Sequence, residues 1–168
     1  MNLTDDLFLL DVVKLATEAH KGQTRWNGDP FILHPLRVAF LVMQDFPHIM
    51  VVSAAVLHDT VEDTRLTLAD IPQSGVLREL VDAVTKRDGE SKVDAVMRLA
   101  DNEYALRIKM ADRLDNILDS DKTKLNEYKN WNSVQKSSLI LLELVKKHKD
   151  LTRTVVYDRL CAVYGVEM

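Results

Sequence analysis

Val51-Val52-Ser53-Ala54-Ala55-Val56-Leu57-His58-Asp59-Thr60-Val61-Glu62-Asp63-Thr64 decides the fold. An almost wholly apolar run ends abruptly in one imidazole and three carboxylates. On a helix of about 100° per residue, Met50 to Leu57 project apolar groups in every direction. A helix apolar all round is a buried one. The spacing predicts one helix running on through the polar cluster, with His58 and Glu62 on one edge and Asp59 and Asp63 on the next. Three neighbouring carboxylates repel one another, and the C-terminal helix dipole disfavours anions. Either this is a solvated acidic helix end with a chance histidine, or it holds a cation.

Outward from that stretch the chain reads as helices. Thr4 is placed to cap a helix to about Lys21, with Leu7, Leu10, Val13 and Leu15 among its apolar positions and Gly22 as its stop. Gln23 to Pro30 reads as a loop, by its Asn27-Gly28 and Asp29-Pro30 signals. His34-Pro35 reopens a helix whose stripe is Leu36, Ala39, Phe40 and Met43, and Pro47 starts the central one. Further helices are expected over 67–71, 75–86, 91–100, 103–119, 131–148 and 151–164, with a charged connection from Asp119 to Tyr128. No segment alternates with period two for long enough to be a strand. The expectation is an all-α, single-domain chain of eight or nine helices spanning 1–168.

Bulk properties narrow the function. The chain has 168 residues, 46% apolar and 29% charged, the make-up of a globular protein with a full core. A net charge of −4 argues against a general nucleic-acid binder, so a polyanionic substrate would need local counter-charges. No apolar run approaches membrane-spanning length, and the acidic start lacks the basic region of a signal peptide. The single Cys161 excludes an internal disulfide and reads as a core thiol. These features fit a cytoplasmic protein. Apolar positions in the last two helices (Leu139, Ile140, Leu142, Leu144, Val155, Val156, Leu160) suit a core or an oligomer interface, and oligomeric state is not readable.

Two further positions could complete a cation site around His58 and Asp59. His34 stands at the start of its helix, where its ring would project from a helix end; a capping or surface role is the alternative. In Ile108 to Asn116, the wheel gives Leu106, Met110, Leu114 and Ile117 the core stripe and gathers Lys109, Asp112 and Asn116 on one polar arc. Such an arc is either a solvated face or the lining of a site. Two imidazoles and two carboxylates would suit Mn²⁺, Fe²⁺, Co²⁺ or Zn²⁺.

At this point the residues carry a resemblance. His58-Asp59 with His34 and Asp112 resembles the HD-domain metal-dependent phosphohydrolases. The strings His20-Lys21-Gly22-Gln23, Phe31 to Leu36, Leu57 to Thr64, Val84-Thr85-Lys86 and Lys109 to Asn116 are similar to the hydrolase domain of the RelA/SpoT family, in family order over about residues 16–118. That domain removes the 3′-pyrophosphate from the guanosine alarmones (p)ppGpp. The length leaves no room for a synthetase domain, so a stand-alone small alarmone hydrolase is expected.

The resemblance implies His34, His58, Asp59 and Asp112 as metal ligands, with Mn²⁺ the usual ion. It implies Glu62 and Asp63 as the pair that positions and activates water, Arg25 as a purine and phosphate contact, and Asn116 as a nucleoside contact. General acid–base and phosphoryl-transfer chemistry agree with these roles. Lys21, Arg25, Lys86, Lys109 and Arg113 are candidates for positive charge around the phosphates, solvated or salt-bridged groups being the alternative. Trp26 and Asn27 stand where the family has a basic and a small polar residue, and Asp115 replaces a common His. These departures lie on the substrate side. They keep open an adenosine alarmone, a nucleotide monophosphate or the 2′-phosphate of NADPH, and behind those a nucleotide-sensing module without turnover.

Overall fold

The computed structural model describes residues 3–72, 75–119 and 131–167. Nine α-helical segments occur among them: α1 (Leu3–Ala19), α2 (Leu33–Asp45), α3 (Ile49–Leu57), α4 (Thr60–Asp63), α5 (Val76–Val84), α6 (Lys92–Met97), α7 (Glu103–Asp119), α8 (Trp131–Val145) and α9 (Val155–Tyr164). Short 3₁₀ turns cover Leu68–Asp70 and Leu151–Arg153. No strand is found among the described residues, and Thr24 and Pro30 make an isolated antiparallel bridge. The fold is all-α, as expected. The predicted connection to Tyr128 lies, beyond Asp119, outside the described residues. Among those described, no helix is long and apolar enough to cross a membrane.

The helices fall into two compact units, 1–85 and 86–168. In the first, α3 packs against α1, α2 and α5. Every side chain from Val51 to Leu57 is buried, as the all-round apolar pattern requires. Small residues help: Ser53, Ala54 and Ala55 are fully covered because neighbouring helices lie close over them. Burying Leu57 alone contributes roughly 2–3 kcal/mol by the transfer scale.

In the second unit α7 packs against α8 and α9, and α6 against α8. The expected stripe of α7 holds: Leu106, Met110, Leu114 and Ile117 are all buried. Cys161 is a buried thiol within α9. Gly165 ends α9 in the left-handed region, at φ 64°, and its neighbour Val166 donates back to the Cys161 carbonyl at 3.0 Å.

Three sequence expectations are corrected. The helix from Val51 does not run through to Thr64. It stops at Leu57, and α4 is a separate single turn. The His58 ring Nδ1 donates to the Ala55 carbonyl (2.8 Å) and Thr60 Oγ1 to the Leu57 carbonyl (2.7 Å). A continuous helix would give those carbonyls to the amides of Asp59 and Val61, so side-chain donors compete with the ladder at the break. Of the stripe expected on α2, Ala39 is buried, Leu36 and Met43 are half-buried and Phe40 faces out. Phe40 is 55% exposed, whereas His34, Val38, Leu41 and Val42 are buried. Finally, Leu7 and Leu10 of α1 face outward and Val12 and Ala16 face in.

Candidate functional site

The break after α3 builds the site. His58 leaves the core helix with its ring buried, and Asp59 follows with its side chain 19% exposed. Because the Ala55 carbonyl can only accept, His58 Nδ1 carries the proton there. Nε2 then faces Asp59 Oδ1 at 3.1 Å. From α2, His34 Nε2 comes within 3.5 Å of Asp59 Oδ2. The two imidazoles meet edge to face, with centroids 5.2 Å apart. His34 is therefore no surface cap. It lies one residue inside α2 and is 1% exposed.

This arrangement calls for positive charge. A neutral imidazole with Nδ1 protonated turns a lone pair toward the carboxylate, and two acceptors at 3.1 Å repel unless a proton or a metal ion lies between them. One potential ligand atom from each of His34, His58 and Asp59 can be chosen so that all lie within 4.8 Å of one another. Two nitrogens and a carboxylate oxygen suit a borderline divalent ion. The donor chemistry fits a metal.

Glu62 and Asp63 follow on α4, both exposed. The turn is closed by the Asp63 amide donating to the Asp59 carbonyl at 2.9 Å. The Asp63 carboxyl is pushed above the ordinary range by desolvation, then by the charges of Asp59 and Glu62; His20 and His58 pull it the other way.

The loop from Gln23 to Phe31 is pinned by its own backbone. Arg25 donates its amide to the Asp29 carbonyl (2.8 Å) and Phe31 to that of Gln23 (3.1 Å). The Asn27 side chain donates to the Asp29 carboxylate (2.9 Å) and accepts from the Asp29 amide (3.0 Å). Gly28 sits at φ 91°, a conformation open to glycine. The Arg25 guanidinium lies 5.6 Å from the centre of the Phe31 ring. Trp26 is 53% exposed, so its ring is not folded onto the core. Lys21 is an exposed partner of Glu18 at 3.0 Å.

The remaining candidates belong to the second unit. Asp112 of α7 is buried, paired with Lys109 Nζ at 2.8 Å and accepting from the Asn116 side-chain amide. The three residues of the expected polar arc are thus joined to one another. Arg113 is neither solvated nor on the surface: it is buried, with Nη2 directed at Ser137 Oγ at 3.4 Å. Lys86 is half-buried at the start of the unit. Asp115, a departure from the family pattern, is buried.

Two residues received no role from the sequence. His20 is 2% exposed, stacked on Phe31 at 4.5 Å, and bonded through Nδ1 to Gln23 Oε1 at 2.8 Å. Gln23 Nε2 in turn donates to the Asp63 carbonyl at 2.8 Å. They stand inside a quoted motif, but its spacing alone does not show that Gln23 reaches across forty positions.

No protein-family model matches the chain. A "Probable GTP pyrophosphokinase" of Mycobacterium leprae is 38% identical over 115 residues, covering 62% of this chain and 15% of that protein. The "Bifunctional (p)ppGpp synthase/hydrolase SpoT" of Escherichia coli is 34% identical over 119 residues, covering 61% and 16%. A "Probable guanosine-3′,5′-bis(diphosphate) 3′-pyrophosphohydrolase" of Mycoplasma pneumoniae is 35% identical over 140 residues, covering 68% and 19%. Among solved structures, a metazoan ortholog of SpoT described as hydrolyzing ppGpp superposes with a TM-score of 0.67 at 22% identity, covering 95% of this chain and 96% of that one. The chain is RelA/SpoT-like. Its helical fold is that of the SpoT ortholog. The RelA/SpoT-like chain spans less than a fifth of each of these three curated relatives.

Proposed function

We propose that this chain is a divalent-metal phosphohydrolase that removes pyrophosphate from the 3′ position of guanosine tetra- or pentaphosphate. The observation that carries the reading is the buried His34–His58 pair converging on Asp59, with Glu62 and Asp63 one turn beyond. Relatives bearing (p)ppGpp hydrolase names support the substrate class. The reading takes the chain as an HD-type hydrolase acting in the cytoplasm.

His34, His58 and Asp59 would hold the ion, and the family resemblance adds Asp112 to the set. Mn²⁺ suits the mixed nitrogen and oxygen donors. When bound, such an ion supplies the positive charge that acidifies water and polarises a phosphoryl oxygen. Glu62 takes the proton from the attacking water and Asp63 orients it. The water oxygen bonds to the phosphorus carried on the 3′ oxygen. The bond between them breaks and the 3′ oxygen leaves with a proton, giving GDP or GTP and pyrophosphate. Arg25, Lys86, Lys109 and Arg113 supply positive charge for the phosphates, Arg25 and Trp26 offer faces for the purine, and Asn27 and Asn116 offer amides to the nucleoside.

The test is to incubate Mn²⁺-loaded protein with ppGpp and follow GDP and pyrophosphate. Folded, metal-loaded protein without turnover overturns the reading. The exposed Trp26 ring favours one second reading, in which the same centre acts on another phosphorylated nucleotide. A panel with an adenosine alarmone, nucleotide monophosphates and NADPH, ranked by kcat/KM, separates the two.

A further inference from the structure

We infer that Gln23 is a positioning residue, a strut that fixes the acid turn relative to the histidine pair. The inference rests on the hydrolase reading above for its consequence, but not for its geometry.

The acid turn is short and ends abruptly. After Asp63 the backbone at Thr64 is extended, at φ −131° and ψ −169°, so α4 stops. The last carbonyls of a helix lack partners within it. That of Asp63 receives Gln23 Nε2 at 2.8 Å. This bond settles which end of the Gln23 amide is which, since a carbonyl can only accept. Oε1 is then turned to His20 Nδ1 at 2.8 Å, and Nδ1 must carry the proton.

Both feet of the strut are held. Gln23 donates its backbone amide to the His20 carbonyl (3.0 Å) and accepts from the Phe31 amide (3.1 Å). The buried His20 ring is stacked on Phe31 at an interplanar angle of 26°. Phe31 meets His34 edge-on at 6.1 Å, and His34 meets His58. A continuous line of contacts therefore runs from the proposed ligands through Phe31 and His20 to Gln23 and the Asp63 backbone. At its other end, the acid turn is tied to Asp59 by the Asp63 amide. With both ends of α4 fixed, Glu62 is held in register with the ion site. Small displacements of a catalytic group cost large factors in rate.

Gln23→Glu tests this in the full-length chain. It keeps the length and the acceptor toward His20 but removes the donor toward Asp63. The expected result is a kcat lower by about 10- to 100-fold, with KM, Mn²⁺ affinity and Tm near wild type. Gln23→Met, which removes both ends, should behave alike. A wild-type kcat in either variant overturns the inference, as does a fall in Tm and metal affinity proportionate to the fall in kcat, which a merely structural residue would give. Imidazole ¹⁵N spectra give a readout free of turnover. His20 should show the Nδ1-protonated tautomer in the wild type, and the Asp63 carbonyl shift should move in Gln23→Met. If those signatures are present but wild-type protein turns over no nucleotide, the hydrolase reading falls and the strut stands. If His20 is protonated on Nε2 alone, or the Asp63 carbonyl is unmoved, the strut falls whatever the activity.

Discussion

His58 turns Nε2 toward Asp59 Oδ1 across 3.1 Å while its other ring nitrogen is committed to the carbonyl of Ala55. The imidazole is thus aimed by the backbone of the helix that it ends. Binding of Mn²⁺ should therefore stabilise the fold. At a hundredfold excess over Kd the gain is about 3 kcal/mol, a rise in Tm of several degrees. Asp59→Ala should abolish the rise, as read by thermal denaturation with and without the metal. An equal rise in the variant would place the ion elsewhere.

Glu62 and Asp59 should separate cleanly by mutation. Asp59→Ala is expected to lose metal and turnover together. Glu62→Gln should keep metal affinity, by calorimetric titration, and lose about 10²- to 10⁴-fold in kcat, the range for a missing general base. Loss of metal from Glu62→Gln would move that carboxylate from the base to the ligand set.

Asp112 offers a third test. Its carboxylate is buried between Lys109 and Asn116. Asp112→Asn keeps the volume but removes the charge. Mn²⁺ affinity should fall by about tenfold or more, the effect typical even of groups that only support a ligand. An unchanged Kd would remove Asp112 from the proposed set and leave it as the partner of Lys109.

Away from the site, Glu90 carries a pH signature. The Arg98 guanidinium grips its carboxylate through two bonds, 2.9 and 3.0 Å, and the Arg87 amide adds a third at 2.8 Å. Chiefly the Arg98 bond holds its pKa down to about 2, from 4.5. A lowered folded-state pKa stabilises the protein above the unfolded value, and that contribution is lost as pH falls from about 4.5 toward 2. Glu90→Gln should thus be less stable than wild type near neutrality by about 1 kcal/mol, after screening at this surface pair. The gap should narrow as pH falls below about 4.5 and close toward about 2 in urea titrations. A gap independent of pH would assign the loss to packing.

What the sequence makes legible is whatever rests on periodicity or on one short string. The all-round apolar run fixes α3 as buried, and the stripe Leu106-Met110-Leu114-Ile117 sets the face of α7. Side-chain competition for backbone is harder to read. His58 and Thr60 take carbonyls from the helix they follow, so a helical wheel drawn through Thr64 misplaces Glu62 and Asp63. The facing of α2 was hidden for a related reason. Hydropathy ranks Phe40 above His34, but the contact of His34 with His58 and Asp59 overrides it. Gln23 was invisible as a positioning group because its partner, the Asp63 carbonyl, is backbone and leaves no trace in residue type.

The centre is uneven in its exposure. Both imidazoles are sealed, at 2% and 1% of side-chain surface, and the Asp59 carboxylate stands at 19%. Any ion arriving from solution meets oxygen before nitrogen, and must shed water on the carboxylate before the histidines can take hold. On the proposed ligand set, the aspartate would gate loading as well as bind the ion. Its replacement should slow the arrival of metal, whereas a change at either histidine should hasten its escape.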